Sequence, residues 1–193
     1  MDVTQNNNEL QRNFRDDLEF TEGTAVIYGI HGRCTVTGVE FRKIGEKSIP
    51  FYKLEIYRPI APKTKRDTAI WIPVESAKKR GLRQLMPEEI VEKAINILTS
   101  REYFFSLHEK IHQIQPKLDV CIQEEGGIGL AKVVSYLYTL KNRQIVPTNE
   151  VLKLYETHSR ILFREIAEIR SSTIRIIEDQ VARGMKSKLL PDS

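Results

Sequence analysis

The chain has 193 residues, 40% of them hydrophobic and 29% charged, a composition that fits an ordinary globular protein and excludes fibrous and disordered classes. No apolar run approaches the ~20 residues needed to span a bilayer, and the polar, Asn-rich start has no apolar segment like that of a secretory signal. We therefore expect a cytoplasmic protein with no membrane partner. The two cysteines, Cys34 and Cys121, lie far apart, as expected of free thiols in a reducing compartment.

The net charge of +4 is spread unevenly along the chain. Residues 1–40 contain three Arg and seven acidic residues, residues 41–86 contain twelve Lys and Arg against four acidic residues, and residues 87–193 contain fifteen of each. A basic stretch of this kind can bind nucleic acid or an acidic protein surface, and it also suits a solvated face.

Short β-rich runs separated by Gly and Pro turns fill residues 20–86, after a polar segment at 1–19 that predicts a flexible tail. Gly38 predicts a bulge, residues 44–49 a hairpin turn, residues 58–67 a basic loop, and residues 76–82 one helical turn. The predicted strands cover residues 24–28, 35–41, 51–57 and 68–72. This spacing predicts a small SH3-like or Tudor-like β-barrel.

Helical periodicity begins at Pro87 and continues to about residue 186, followed by a short tail at 187–193. Pro116 is expected to end the second helix, the Gly-rich run at 126–129 to break the chain, and Thr148 to cap the next helix. The predicted helices cover residues 87–98, 102–115, 130–140, 148–169 and 174–184, with a further short one at 117–123. The fold class is therefore α+β, a barrel domain at 20–86 followed by an all-α bundle of about five helices at 87–186.

A possible zinc motif lies in the second predicted helix. His108, Glu109 and His112 match H-E-x-x-H, in which two histidines one helical turn apart hold zinc and the glutamate activates water. A catalytic zinc needs a third protein ligand, and Gln115 and Leu118 stand where the longer pattern needs Gly and His. We favour two surface histidines over a zinc hydrolase, and expect no catalytic residue, metal or cofactor.

Two aromatic features are candidates for partner contacts. Trp71 is the only tryptophan, and strand alternation puts it on the face opposite Ile70 and Ile72, where it either anchors an interface or covers the junction with the helical domain. The Tyr-Phe-Phe run at residues 103–105 cannot point all three rings into one core. An exposed ring there can stack on or wedge between bases, and a helix-junction cluster is the alternative.

The ordered motifs of residues 20–180 resemble those of the CarD/CdnL/TRCF family of bacterial RNA-polymerase-binding proteins. In the first half they are Phe20-x-x-Gly23-x-x-Val26-x-Tyr28-x-x-His31-Gly32, then Val36 and Arg42, Tyr52-x-Leu54, Ile72-Pro73-Val74-Glu75-Ser76-Ala77 and Gly81-Leu82-Arg83. In the helical half they are Lys132-Val133-Val134-Ser135-Tyr136-Leu137, a Lys/Arg loop and the segment 150–168.

This resemblance implies a Tudor-like domain that docks on the polymerase β subunit and a helical domain that touches promoter DNA at the upstream edge of the melted region. It implies that Arg42 contacts the β subunit. A second family arginine, before the Ile-Pro step, is replaced by Trp71, and the family's DNA-wedge tryptophan has no match, with Phe104 and Phe105 nearest to it. The expected protein is a non-enzymatic, nucleoid-associated monomer that stabilises the open complex.

The charged residues add a physical argument to the resemblance. A basic face complements an acidic partner and speeds encounter, and basic residues of the helical domain can neutralise phosphates without reading sequence. The expected polymerase-binding residues are Arg42, Lys43, Lys53 and Trp71, with Arg58 adding charge, and the expected DNA-binding residues are Tyr103, Phe104, Phe105, Lys132, Lys141 and Arg143. The alternative is a barrel that binds nucleic acid directly, without polymerase.

Overall fold

A computed structural model describes residues 18–57, 69–100, 102–143 and 148–187. The expected tail up to residue 17, the basic loop at 58–67 with Arg58, and residues 188–193 of the expected C-terminal tail lie outside this range. The α+β class is confirmed, because a five-stranded antiparallel sheet in the N-terminal part is followed by four helices.

The strands form one sheet in the order β4-β3-β2-β1-β5. They are β1 (Ala25–Tyr28), β2 (Gly32–Ile44), β3 (Lys47–Ile56), β4 (Ile70–Pro73) and β5 (Leu82–Gln84). The expected closed barrel is wrong, because β4 and β5 are the edges of an open sheet. Both are short, at four and three residues, and β4 ends at Pro73, which has no N–H to donate to a further strand.

The hairpin of β2 and β3 follows the local signals in the sequence. Gly45 has a φ of +62° and lies in the turn, as expected of a residue without a side chain. Gly38 has a φ of +147°, and the strand register shifts there, from Val36 opposite Leu54 to Gly38 opposite Lys53. The predicted bulge and hairpin turn are both confirmed.

The chain divides into two compact units. Among the described residues, the first unit contains 18–26, 34–57 and 69–77, and the second contains 27–33 and the described residues from 78 onward. The first unit has a core drawn from the buried side of the strands, in which the ring of Phe20 meets that of Tyr52 edge-on at 5.6 Å. Other core residues are Val26, Cys34, Val36, Leu54 and Ile72.

Within the described residues, the second unit contains four helices rather than the expected five or so. They are α1 (Glu88–Thr99), α2 (Ile111–Arg143), α3 (Asn149–Ile169) and α4 (Ile174–Ser187). The expected helix at 102–115 is wrong over residues 102–110, which are not helical. Pro116 does not end a helix, and α2 continues beyond it to Arg143.

Proline and glycine explain the course of α2. Pro116 is its sixth residue, so the proline costs one hydrogen bond near the start, where the strain on a preceding turn is smallest. Gly126, at φ +60° and ψ −124°, breaks the helical geometry. A Cβ on Gly129 would overlap the carbonyl oxygen of Cys121, so glycine allows the two parts of α2 to approach closely. The predicted break is therefore at Gly126.

Two apolar clusters hold the helices together. One joins all four helices, and the other joins both parts of α2 to the start of α3. The first includes Val91, Leu98, Leu130, Val134, Leu162, Ile166, Ile177 and Val181, and the second includes Ile114, Leu118, Leu137 and Val151. Thr148 caps α3 as predicted, its hydroxyl accepting a hydrogen bond from the Val151 N–H at 3.3 Å. Within the described residues, no helix combines the length and hydrophobicity required to cross a bilayer.

Candidate functional site

Trp71 lies in the middle of β4, directly opposite Lys53 of β3. Its side chain is half-buried, while the next residue, Ile72, is 1% exposed and packs in the core. Side chains of consecutive strand residues point to opposite faces. Trp71 therefore occupies the sheet face that does not form the core of the first unit, as strand alternation predicts.

Two cations lie over the Trp71 ring. The guanidinium carbon of Arg42 is 3.6 Å from the ring centroid, and the Lys53 ammonium is 5.2 Å from it. Lys53 also forms an ion pair of 3.1 Å with Glu40. The register explains this gathering, because Arg42 and Glu40 are two residues apart on β2 and face the same side as Lys53. We call these four residues, Trp71, Arg42, Lys53 and Glu40, the Trp71 cluster.

The Trp71 cluster is suited to bind a carboxylate. A guanidinium that lies over an indole ring can still donate its N–H groups in pairs to an acidic side chain. Cation–π contacts of this kind stabilise by about 0.5–1 kcal/mol at exposed sites, and Arg42 is exposed. The cluster has two positive charges and one negative, so it retains a net attraction for anions.

Lys43 does not join the Trp71 cluster. It follows Arg42 on β2 and pairs in register with Ser48, so its exposed side chain lies on the opposite face of the sheet. Of the four residues expected to bind polymerase, three are thus brought together and Lys43 is not.

The aromatic run expected to contact DNA lies in the non-helical segment 102–110. The Tyr103 side chain is 45% exposed, and its hydroxyl accepts a hydrogen bond of 2.7 Å from Arg143. The Arg143 guanidinium also lies 5.0 Å from the Tyr103 ring centroid. These contacts hold Tyr103 against the end of α2.

Phe104 and Phe105 have different surroundings. The Phe104 ring is 5.5 Å from the Lys132 ammonium, and that ammonium forms an ion pair of 2.5 Å with Glu125. The ring centroids of Phe105 and Tyr136 are 5.3 Å apart, and Phe105 packs against the smaller apolar cluster. Phe105 is therefore a packing residue of the second unit, whereas Phe104 packs in neither apolar cluster.

The cations expected to bind phosphates each have a partner within the protein. Lys132 is paired with Glu125 and Arg143 with Tyr103, and the Lys141 ammonium lies 4.7 Å from the ring of Tyr155. Burial raises the pKa of the Tyr155 hydroxyl to about 12, so the tyrosine stays neutral below that range. These three cations are thus less available to an external anion than the sequence indicates.

The H-E-x-x-H motif does not form on one helix. His108 and Glu109 precede α2, which begins at Ile111, and only His112 is helical. Glu109 forms an ion pair of 2.8 Å with Lys117. Among the residues that the structure describes, no three His, Cys, Asp or Glu side chains are grouped to hold a metal ion. The geometry that the zinc motif requires is therefore not present.

The sequence did not reveal a buried ion pair between β5 and α3. Arg83 donates to both carboxylate oxygens of Glu165, at 2.8 and 2.6 Å, and the Met86 N–H donates to the same carboxylate at 2.7 Å. Glu165 is 1% exposed. Its position beside the apolar stripe of α3 is the only signal in the sequence, and that signal does not identify its partner.

A second ion pair joins the start of β2 to α3. Arg33 lies 3.4 Å from Glu168. Burial raises the pKa of the Glu168 carboxyl, and the positive charges of Arg33 and Arg164 partly oppose this effect. Burial therefore disfavours the charged form of Glu168, and the neighbouring arginines partly offset this effect.

Comparison with protein-family models finds no matching family, and comparison with curated proteins finds no match. The resemblance to the CarD/CdnL/TRCF family thus stays a prediction based on sequence motifs, and the functional proposal has to be supported by the geometry of the described residues.

Proposed function

We propose that this protein is a non-enzymatic bacterial transcription regulator that docks on the β subunit of RNA polymerase. In this proposal residues of its second unit contact promoter DNA and stabilise the open complex. The Trp71 cluster is the observation that supports docking most strongly, and the motif resemblance supplies the identity of the partner.

The chemistry of the Trp71 cluster favours an acidic protein surface as its partner. Arg42 stands where the family has its polymerase-contacting arginine, and its guanidinium carbon lies 3.6 Å from the Trp71 ring centroid. Trp71 replaces a second family arginine, so one cation is lost, but Lys53 lies over the same ring and supplies another. Large aromatic residues and arginine are enriched among the residues that dominate binding energy at protein interfaces.

Residues of the second unit support the DNA-contacting part of the proposal. The segment 102–110 presents Tyr103 to solvent and Phe104 half-buried beside Lys132, and aromatic rings beside cations can stack on unpaired bases. The fifteen basic and fifteen acidic residues of 87–193 predict weak DNA binding by this part alone. Docking on polymerase would raise the effective concentration of the protein at the promoter.

The lifetime of promoter open complexes formed by purified polymerase tests this function. We expect the wild-type protein to lengthen the lifetime after addition of a competitor, and Arg42→Glu to abolish the effect by reversing the docking charge. Arg175→Glu, an equal charge change on the exposed side of α4, is the matched control and should behave as wild type. An unchanged lifetime with wild-type protein would contradict the proposed function.

A further inference from the structure

Several arginines of the second unit form ion pairs within the protein. Arg33 pairs with Glu168, Arg83 pairs with Glu165, and Arg170 pairs with Glu92 and also donates to Gln180. By contrast, Arg160 and Arg164 of α3 form no ion pair or hydrogen bond with any part of the chain that the structure describes. Both are exposed, so their charges are available to an external anion.

Arg160 and Arg164 also share a cavity. They are four residues apart, one helical turn or about 6 Å along the axis, and line a cavity of about 270 Å³ with Thr157, Ile161 and Gly32. A Cβ built on Gly32 would lie 3.5 Å from the Arg164 guanidinium, so the absence of a side chain leaves room beside that group. Two cations, a hydroxyl and a glycine turn thus surround one space.

The carboxylates nearest in sequence form no ion pair with Arg160 or Arg164, although the charge of Arg164 acts on Glu168. Glu156 lies one turn before Arg160 without forming an ion pair with it, and Glu168, one turn after Arg164, is paired with Arg33. Like charges one turn apart on a helix destabilise it. An anion bound between the two arginines would relieve this repulsion.

A neighbouring cavity extends the positive surface. It has a volume of about 320 Å³, shares Ile161 with the first cavity, and is lined by Lys79, Arg80 and His158 among others. Asp119 contributes a carboxylate there. Burial raises the pKa of the Asp119 carboxyl, while the nearby His158 lowers it. The two cavities together present cations over a larger area than one small anion occupies.

We propose that Arg160, Arg164 and Thr157 bind phosphates of a nucleic-acid backbone, on a surface of α3 separate from the segment 102–110. Exposed arginines one turn apart suit a chain of phosphates better than a single enclosed anion, because successive phosphates can each meet one guanidinium. The inference rests on the proposed function only in taking the nucleic acid to be promoter DNA.

The test is DNA binding by the full-length protein without polymerase. The affinity for a fluorescent duplex of about 20–30 bp is measured between about 50 and 200 mM salt for the wild type, Arg160→Gln/Arg164→Gln and Arg175→Gln. We expect the double variant to reduce the slope of log affinity against log salt by about 2, since each lost phosphate contact removes about 0.9. Arg175→Gln should reduce that slope by less than 1.

The variant Arg160→Lys/Arg164→Lys keeps both charges and should retain most of the slope, which separates loss of charge from loss of fold. An unchanged slope in the Gln double variant, or an equal loss in Arg175→Gln, would overturn the inference. It would also be overturned if inorganic phosphate raised the melting temperature of the wild type alone while the DNA slopes were equal, because the site would then bind a free anion. A reduced slope without polymerase docking would support this surface and contradict the proposed function.

Discussion

Trp71 restricts the orientation of Arg42, the residue on which the proposed docking depends. The indole ring lies 3.6 Å from the guanidinium and limits the rotamers that the arginine samples before it meets a partner. A group that is ordered in advance loses less conformational entropy on binding. Trp71 can therefore support an interface in two ways. It holds Arg42 in place before binding, and its own ring can contact the partner directly.

We predict that Trp71→Ala weakens binding to the polymerase β subunit by about 5- to 10-fold, the equivalent of ~1 kcal/mol for a cation–π contact. Trp71→Phe should recover part of the affinity, because a phenyl ring still offers a face to Arg42. Surface plasmon resonance with the immobilised β subunit measures both. Equal affinities for wild type and Trp71→Ala would mean that the ring plays no part in docking.

Phe104 and Phe105 are predicted to differ in what they contribute. Phe105→Ala removes a ring that packs against Tyr136 and should lower the free energy of unfolding by about 2 kcal/mol, less than the ~3–5 kcal/mol of a fully buried Phe. Phe104→Ala should leave stability nearly unchanged and shorten open-complex lifetime. Urea unfolding and the lifetime assay separate the two, and the reverse pattern would exclude Phe104 as the base-contacting ring.

Cys34 makes stability depend on alkaline pH. Burial raises the pKa of its thiol from 9.0 to about 11, so the unfolded chain loses this proton first as pH rises. The free energy of unfolding should therefore fall between about pH 9 and 11, by roughly 2–3 kcal/mol in total. Cys34→Ala should show a shallower fall in urea unfolding over the same range, and parallel pH profiles would contradict the assignment.

At the scale of elements, α3 is held to β5 by the buried pair of Arg83 and Glu165. Glu165 has no exposed side-chain surface and receives three hydrogen bonds. Removing one partner of a buried pair costs about 3–5 kcal/mol, since the other charge stays buried. This contact fixes the segment Leu82–Met86 on the helix that carries Arg160 and Arg164.

We predict that Glu165→Gln lowers the free energy of unfolding by about 3 kcal/mol. Glu168→Gln, the matched control one turn away, should cost less, because burial already raises the pKa of Glu168 and makes its charged form less favourable. Urea denaturation of the two variants at neutral pH compares them. Equal losses would show that the Arg83 pair contributes no more than the partly exposed Arg33 pair.

Elements with local chemistry were predictable from the sequence, and elements fixed by distant contacts were not. Gly38, Gly45 and Thr148 act through their own backbone or side chain, so the bulge, hairpin and helix cap were expected correctly. The segment 102–110 has helical periodicity but is held by Arg143, Lys132 and Tyr136, which are distant in sequence. Tertiary contacts thus override local propensity there.

In the candidate site, too, the features set by local sequence were predictable and those set by distant contacts were not. Strand alternation correctly assigns Trp71 to the face opposite Ile72, because it needs only the period of a strand. The stacking of Arg42 on Trp71 depends on the register of three strands, including the shift at Gly38. Likewise, only the tertiary structure shows that Arg33 and Arg83 form ion pairs while Arg160 and Arg164, within the described residues, form none.

At the scale of the whole molecule, the proposed function gives the two units different partners. In that proposal the Trp71 cluster of the first unit binds an acidic protein surface, and aromatic and basic groups of the second unit bind DNA. Both contacts are electrostatic in part, so both should weaken as salt rises. The modest net charge of +4 is consistent with a protein that relies on tethering rather than on strong binding to DNA.

The central claim is that Arg42 docks this protein on the β subunit of RNA polymerase. The most direct measurement is a titration of purified β subunit with wild-type protein, Arg42→Glu and Arg175→Glu. We predict saturable binding by the wild type and by Arg175→Glu, and at least ~30-fold weaker binding by Arg42→Glu, as reversal of a charge at an interface costs ~2 kcal/mol or more. Absence of wild-type binding, or equal affinity for Arg42→Glu, would contradict the account.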